Sequence, residues 1–220
     1  MLDPDDQADA KAPDDVGHDH ARHSVGGQQG HIARRVFHVG MVAIPWVWYW
    51  HAGPIEAAFG QPRDVLLLAL LTLGVALELV RRHQGWTIFG QRAYEAHQFS
   101  ALAWGMVSVG LTLLFAPMIG ERGAAIGVPI IWSLSLVDPL MGELRRAGKP
   151  DRVVAATGVC MTAAVWLTAG WLLGGPLWPA AIMAPLTVAA EWPRLRWIDD
   201  NATMTLAPLA AALALAPWLS

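Results

Sequence analysis

The chain has 220 residues, of which 55% are hydrophobic and 15% charged, with a formal net charge of −3. Soluble domains carry about 25% charged residues. Here the apolar residues also form long runs, such as Leu66 to Val80 and Met161 to Leu173, that only lipid or a much larger core would bury. The composition excludes an ordinary water-soluble domain and predicts an all-α transmembrane bundle.

Residues 1 to about 30 are rich in Asp, His, Gly and Gln. They cannot bury enough apolar surface to order themselves, so a disordered tail is expected there. The catalytic domain is expected over residues 31–220. His18, His20, His23 and His31 could attract a metal, but a solvated tail is the plainer reading. The start, Met1-Leu2-Asp3-Pro4-Asp5-Asp6, is acidic and unlike a signal peptide.

About seven spans are expected: Val36 to Trp50, Asp64 to Val80, Ser100 to Ile119, Ala124 to Met141, Val153 to Leu173, Leu177 to Ala190, and Ala202 to Trp218. The first and sixth are short, and Pro179 and Pro185 interrupt the sixth. The one cysteine, Cys160, lies in an apolar run and is expected to be a small buried residue. Many of the tryptophans, such as Trp46, Trp48, Trp50 and Trp178, fall near span ends, where interfacial anchoring explains them.

Basic residues alternate in density between the connections. Arg34 and Arg35, then Arg81, Arg82 and Arg92, then Arg145, Arg146, Lys149 and Arg152, then Arg194 and Arg196 fall on one side. Arg63 and Arg122 fall on the other. The positive-inside rule then places the N-terminus in the cytoplasm and the C-terminus outside. The expected localisation is the cytoplasmic membrane in a bacterium.

The acids follow the same side. Glu78 ends the second span, Glu95 precedes the third, Asp138 lies near the inner end of the fourth, Glu191 ends the sixth, and Asp199-Asp200-Asn201 opens the seventh. A carboxylate at membrane depth is costly unless paired. Glu78 with Arg81, and Arg92 with Glu95, have helical spacing and can simply pair. Asp138 has no basic residue within four positions and points to function. Asp199-Asp200-Asn201 suits both a helix N-cap and metal ligation. Carboxylates beside arginines suit Mg²⁺ and phosphate.

Taken in order, these segments resemble the dolichol kinase and polyprenol kinase family, which includes phytol kinases and CTP-dependent diacylglycerol kinases and is related to phosphatidate cytidylyltransferases. Arg34-Arg35-Val36-Phe37-His38-Val39-Gly40 resembles its N-terminal signature. Glu78 with Arg81, then Arg92-Ala93-Tyr94-Glu95, resemble the next elements. Asp138 with Gly142 and Gly148-Lys149 resembles its CTP-associated loop. Glu191 and Asp200-Asn201 resemble its closing acidic elements. The resemblance implies a kinase acting at the cytoplasmic face on a long-chain lipid alcohol, with CTP as donor and Mg²⁺ as cofactor. It implies Asp138, Glu191, Asp200 and Asn201 as metal ligands, with Asp138 and Asp200 also catalytic. Arg34, Arg35, Arg81, Arg92, Lys149, Gly142 and Gly148 would bind the nucleotide. His38 would accept a proton or contact phosphate, and Glu78 and Glu95 are further site candidates. The expected partners are the lipid alcohol, the nucleotide and the bilayer, with no nucleic acid. Two alternatives stay open: a cytidylyltransferase making a CDP-lipid, and a catalytically silent lipid-binding subunit. The latter is favoured by Thr157-Gly158 standing where the family carries Glu-Gly. No Walker loop is present.

Overall fold

The computed structural model describes residues 25–120, 122–193, 195 and 197–219. These residues are all-helical, with no strand among them. The helices are α1 (Gly27–Gly40), α2 (Ala43–Trp50), α3 (Ala52–Phe59), α4 (Arg63–Gln84), α5 (Ala101–Phe115), α6 (Gly123–Arg146), α7 (Asp151–Leu173), α8 (Ala180–Glu191), α9 (Asp200–Ala214) and α10 (Ala216–Leu219). Most of the expected tail, with His18, His20 and His23, lies outside the described residues. Residues 27–30 of that expected tail belong to α1.

Proline chemistry explains why the expected first span is not one rod. Pro45 has no N–H for the carbonyl of Met41, and its ring crowds that carbonyl. The chain tightens there, with Ile44 N–H bonding Met41 O at 3.0 Å, and α1 gives way to α2. Pro54 acts likewise on the carbonyl of Trp50, the last residue of α2.

Among the described residues, three segments are long and apolar enough to cross a membrane: Ala101–Ile119, Gly123–Arg146 and Asp151–Leu173. They coincide with the third, fourth and fifth expected spans. Helix α4 is of similar length, 22 residues, but carries Asp64 at one end and Glu78, Arg81 and Arg82 at the other. Helix α8 has 12 residues. The expected last span divides, with α9 ending at Ala214.

Helix α6 is the axis of the bundle and packs against α1, α2, α5, α7 and α9. Ile126, Ile130, Ile131, Leu134, Val137 and Met141 on it are almost wholly buried, and a helix apolar on all sides belongs in such a centre. Helix α8 lies between α7 and α9, and α4 packs on α5. Small residues allow that last approach. A Cβ on Gly74 would meet Met106 at 2.3 Å, and one on Gly110 would meet Leu71 at 2.5 Å. Close packing of this kind, more than water exclusion, holds helices together in lipid.

The outer surface is apolar. Leu68, Leu70, Leu73 and Leu77 of α4 and Trp171 of α7 are each more than half exposed, as suits lipid contact. Cys160 faces outward on α7, which corrects the expectation of burial. Four buried hydroxyls inside the bundle bond their own helix: Ser135, Thr162, Thr187 and Thr205 each reach the carbonyl four residues back at 2.8 Å. They need no ligand.

Candidate catalytic site

His31, Arg35 and His38 recur at i, i+4 and i+7 along α1, so they share one helical face. That face meets the end of α6. His38 Nδ1 lies 3.0 Å from Asp138 Oδ2, and Arg35 Nη1 lies 3.8 Å from the same oxygen. Asp138, without a basic residue within four positions of it, is thus paired from α1. One turn on, Gly142 makes room for Arg35, since a Cβ there would lie 2.4 Å from Arg35 Nη2.

Two helix ends complete the acidic group. Glu191 is the last residue of α8 and Asp200 the first of α9. Asp138, Glu191 and Asp200 each offer an oxygen, and these oxygens lie within 4.8 Å of one another. Like charges at that spacing repel by about 3 kcal/mol per pair at an effective dielectric near 20. Arg145 offsets part of this by gripping Glu191 with both terminal nitrogens, Nη2 to Oε2 at 2.7 Å. The donor set fits Mg²⁺. That ion takes oxygens at about 2.0–2.1 Å, so its ligand oxygens stand at most about 4 Å apart, and a small inward shift of three side chains reaches that spacing.

Asp199 is the N-cap of α9 and accepts from Asn201 N–H at 3.1 Å. Burial and the adjacent Asp200 carboxylate push the Asp199 carboxyl well above the usual range. Asn201, expected among the metal ligands, follows Asp200 in the first turn of α9. Its side-chain amide donates to the carbonyl of Ala101 at 3.2 Å and ties α9 to α5.

Arg81, expected to bind the nucleotide, has its donors on protein groups. Its Nε and Nη2 bond Glu78 at 2.8 and 2.9 Å, and Nη2 also reaches the carbonyls of Glu95 and Gln98. Its Nη1 donates to the carbonyl of Trp86. Glu78 in turn accepts from Ser100 N–H at 2.6 Å. Both side chains are buried. The pair locks the segment between α4 and α5.

Glu95 accepts from the backbone N–H groups of Arg92 and Ala101 at 3.0 and 3.1 Å, and Arg34 Nη1 approaches it at 3.5 Å. The Arg92 side chain turns instead to the Tyr94 hydroxyl. Gly148 and Lys149 are explained by the end of α6. Gly148 has φ +68°. Its N–H bonds Arg145 O, and Lys149 N–H bonds Leu144 O, a paired closure that favours glycine. The exposed Lys149 side chain has no partner among the described residues.

A cavity of about 310 Å³ adjoins this end of the bundle. Phe37, Met41, Phe89 and Leu102 form its apolar wall, and Arg34, His38, Glu95 and Asn201 its polar side. His38 therefore belongs both to the cavity and to the carboxylate group. With Nδ1 on Asp138, its Nε2 has no hydrogen-bond partner among the described residues.

His31, Glu143, Arg145 and Arg146 also gather here, and sequence reasoning gave them no role in the site. Burial holds the His31 imidazole below its ordinary value, with Glu143 opposing and Arg35 and Arg146 reinforcing that effect. The signal that could have found them is helical spacing. Arg145 stands two turns after Asp138, and Glu143 and Arg146 form an i, i+3 pair.

Fold and site together define a helical protein with three segments, among the described residues, long and apolar enough to cross a membrane and a three-carboxylate group beside a largely apolar cavity. No family model, curated protein or solved structure matches the chain.

Proposed function

We propose that the chain is a membrane-embedded kinase that transfers the γ-phosphate of CTP, with Mg²⁺, to the hydroxyl of a long-chain lipid alcohol at the cytoplasmic face. The carrying observation is His38, which touches Asp138 of the carboxylate group and also lines the apolar cavity. Phosphoryl transfer asks a protein mainly to position groups and balance charge. Asp138, Glu191 and Asp200 would hold the cation, which neutralises the phosphates. The acceptor chain would enter the cavity with its hydroxyl at His38. Nε2 takes the hydroxyl proton as the acceptor oxygen bonds the γ-phosphorus, and the bond to the β-phosphate oxygen breaks to release CDP. Asp138 keeps Nδ1 protonated and so keeps Nε2 free as the acceptor. The seven-span topology, with the N-terminus inside, belongs to this reading, because it puts the site on the side where CTP is found.

The test is transfer from labelled CTP to polyprenol, phytol or diacylglycerol by the purified chain in lipid nanodiscs. Formation of CDP and lipid phosphate, lost in Asp138→Asn at wild-type expression, supports the reading. Release of pyrophosphate instead assigns a cytidylyltransferase. Failure of Mg²⁺–CTP to bind leaves a silent lipid-binding subunit.

A further inference from the structure

One carboxylate near the site faces two arginines and a histidine. His31 Nε2 and Arg35 Nε each lie 3.4 Å from Glu143 Oε1. Arg146 Nη1 lies 3.8 Å from Glu143 Oε2 and 3.3 Å from His31 Nε2. The contacts are poor ones. Arg35 Nε is buried and makes no hydrogen bond. His31 Nε2 stands between a carboxylate, which needs a donor, and a guanidinium, which needs an acceptor, so it satisfies only one of them. The Glu143 side chain is 48% exposed, and a pair so open to water contributes little to stability. His31, by contrast, is buried at 7% exposure, and Arg35 is seated over Gly142. His31 and Arg35 are built in, whereas Arg146 at 46% exposure is as open to water as the acid that covers them.

We propose that His31, Arg35 and Arg146 form a binding site for a phosphate group carrying two negative charges, and that Glu143 occupies this site until the phosphate displaces it. A phosphate offers three oxygens and greater charge to the same donors, and arginine forks match it bidentately. Arg35 also lies 3.8 Å from Asp138, so a phosphate here adjoins the carboxylate group. The inference rests on the kinase reading only in taking this phosphate to be part of the donor nucleotide. The same chemistry is carried by an anionic lipid headgroup.

The experiment is calorimetric titration of tripolyphosphate into the full chain in phosphatidylcholine nanodiscs with EDTA present. Glu143→Gln removes the competitor and tightens binding about tenfold, and Arg146→Ala weakens it by a similar factor. Thermal midpoints verify that both variants are folded. A Glu143→Gln chain that binds tripolyphosphate no better than wild type overturns the proposal, as does absence of binding in both. Repeating the titration with phosphatidate in the bilayer separates the sources: competition assigns the site to a lipid headgroup, and its absence to a soluble phosphate chain. EDTA removes the cation that transfer requires, so the two readings fail separately. Tightened binding in a chain that moves no phosphate from CTP leaves the site and removes the kinase. Transfer without a Glu143→Gln effect does the reverse.

Discussion

Replacing Arg81 by methionine keeps the length and packing of the side chain and removes its charge. The buried Glu78 carboxylate then loses its bidentate partner, and the carbonyls of Trp86, Glu95 and Gln98 lose a charged donor. Breaking a buried pair from one side costs about 3–5 kcal/mol. For a chain of this size that lowers the thermal midpoint by roughly 6–20 °C. Unfolding of the purified protein in micelles, followed by tryptophan fluorescence, measures it. Adding Glu78→Gln to the same chain recovers part of the loss, because the stranded charge is gone. The segment held by Arg81 includes Ile88, Phe89, Gly90 and Gln91 of the cavity wall, so the cavity proposed to take the lipid loosens together with the loss of stability. An Arg81→Met chain that melts like wild type and loses only nucleotide affinity would refute the lock and return Arg81 to a phosphate.

Three further outcomes test the site. Asp200→Asn weakens Mn²⁺ binding, read by electron paramagnetic resonance, at least about tenfold, and raises the metal-free thermal midpoint by a few degrees because one repelling carboxylate is neutralised. His38→Gln leaves Mn²⁺ affinity in place and slows phosphate transfer by about 10²–10⁴-fold, the usual contribution of a positioned base. His31 gives the pH dependence. Its folded value lies below its unfolded 6.5, so the unfolded chain binds the extra proton and stability falls as pH drops through that window. Wild type therefore loses more stability between pH 7 and 5 than His31→Asn does, measured by thermal midpoint across pH, and equal slopes would show that burial does not control this imidazole.

Much of the site could be read from residue order, and the reasons are local. Glu191 and Asp200 stand at the end of one helix and the start of the next, so a short return connection brings them to the same end of the bundle. Asp138 was marked by the absence of a basic residue within four positions, and the pairing of Glu78 with Arg81 follows from i, i+3 spacing. Other features were not legible because they depend on tertiary approach. Nothing near Asp138 in sequence shows that His38 of α1 lies at 3.0 Å. Arginine composition does not reveal that Arg81 is spent on backbone carbonyls while Arg145 grips Glu191. Glu143 and Arg146 have i, i+3 spacing on α6, but only the approach of α1 brings His31 and Arg35 against them. The spans show the same division. Apolar runs identify α5, α6 and α7, whereas Pro45 acts on a carbonyl four residues back and breaks a run that hydropathy alone treats as continuous.

The carboxylate group and the Glu143 cluster are opposite charge imbalances held a few ångströms apart, with Arg35 between them. Asp138, Glu191 and Asp200 bring three carboxylates together with His38 and Arg145 as partners, and Arg35 is shared with Glu143. At Glu143 three basic side chains meet one loosely held acid. Each imbalance costs stability in the empty chain, and each is relieved by an ion of the other sign: a divalent cation at the first, a phosphate at the second. A metal–polyphosphate complex carries both, so it can relieve the two together, and Arg35 is placed to shift from Asp138 toward phosphate as the cation arrives. Cation and polyphosphate should therefore bind with positive coupling, each tightening the other by the same factor. Titrating tripolyphosphate with and without Mg²⁺ measures that factor after correction for their association in solution. Asp200→Asn should abolish the coupling while leaving metal-free tripolyphosphate binding near its wild-type strength. Equal affinities in wild type with and without Mg²⁺ would mean that the two imbalances are independent and do not form one site.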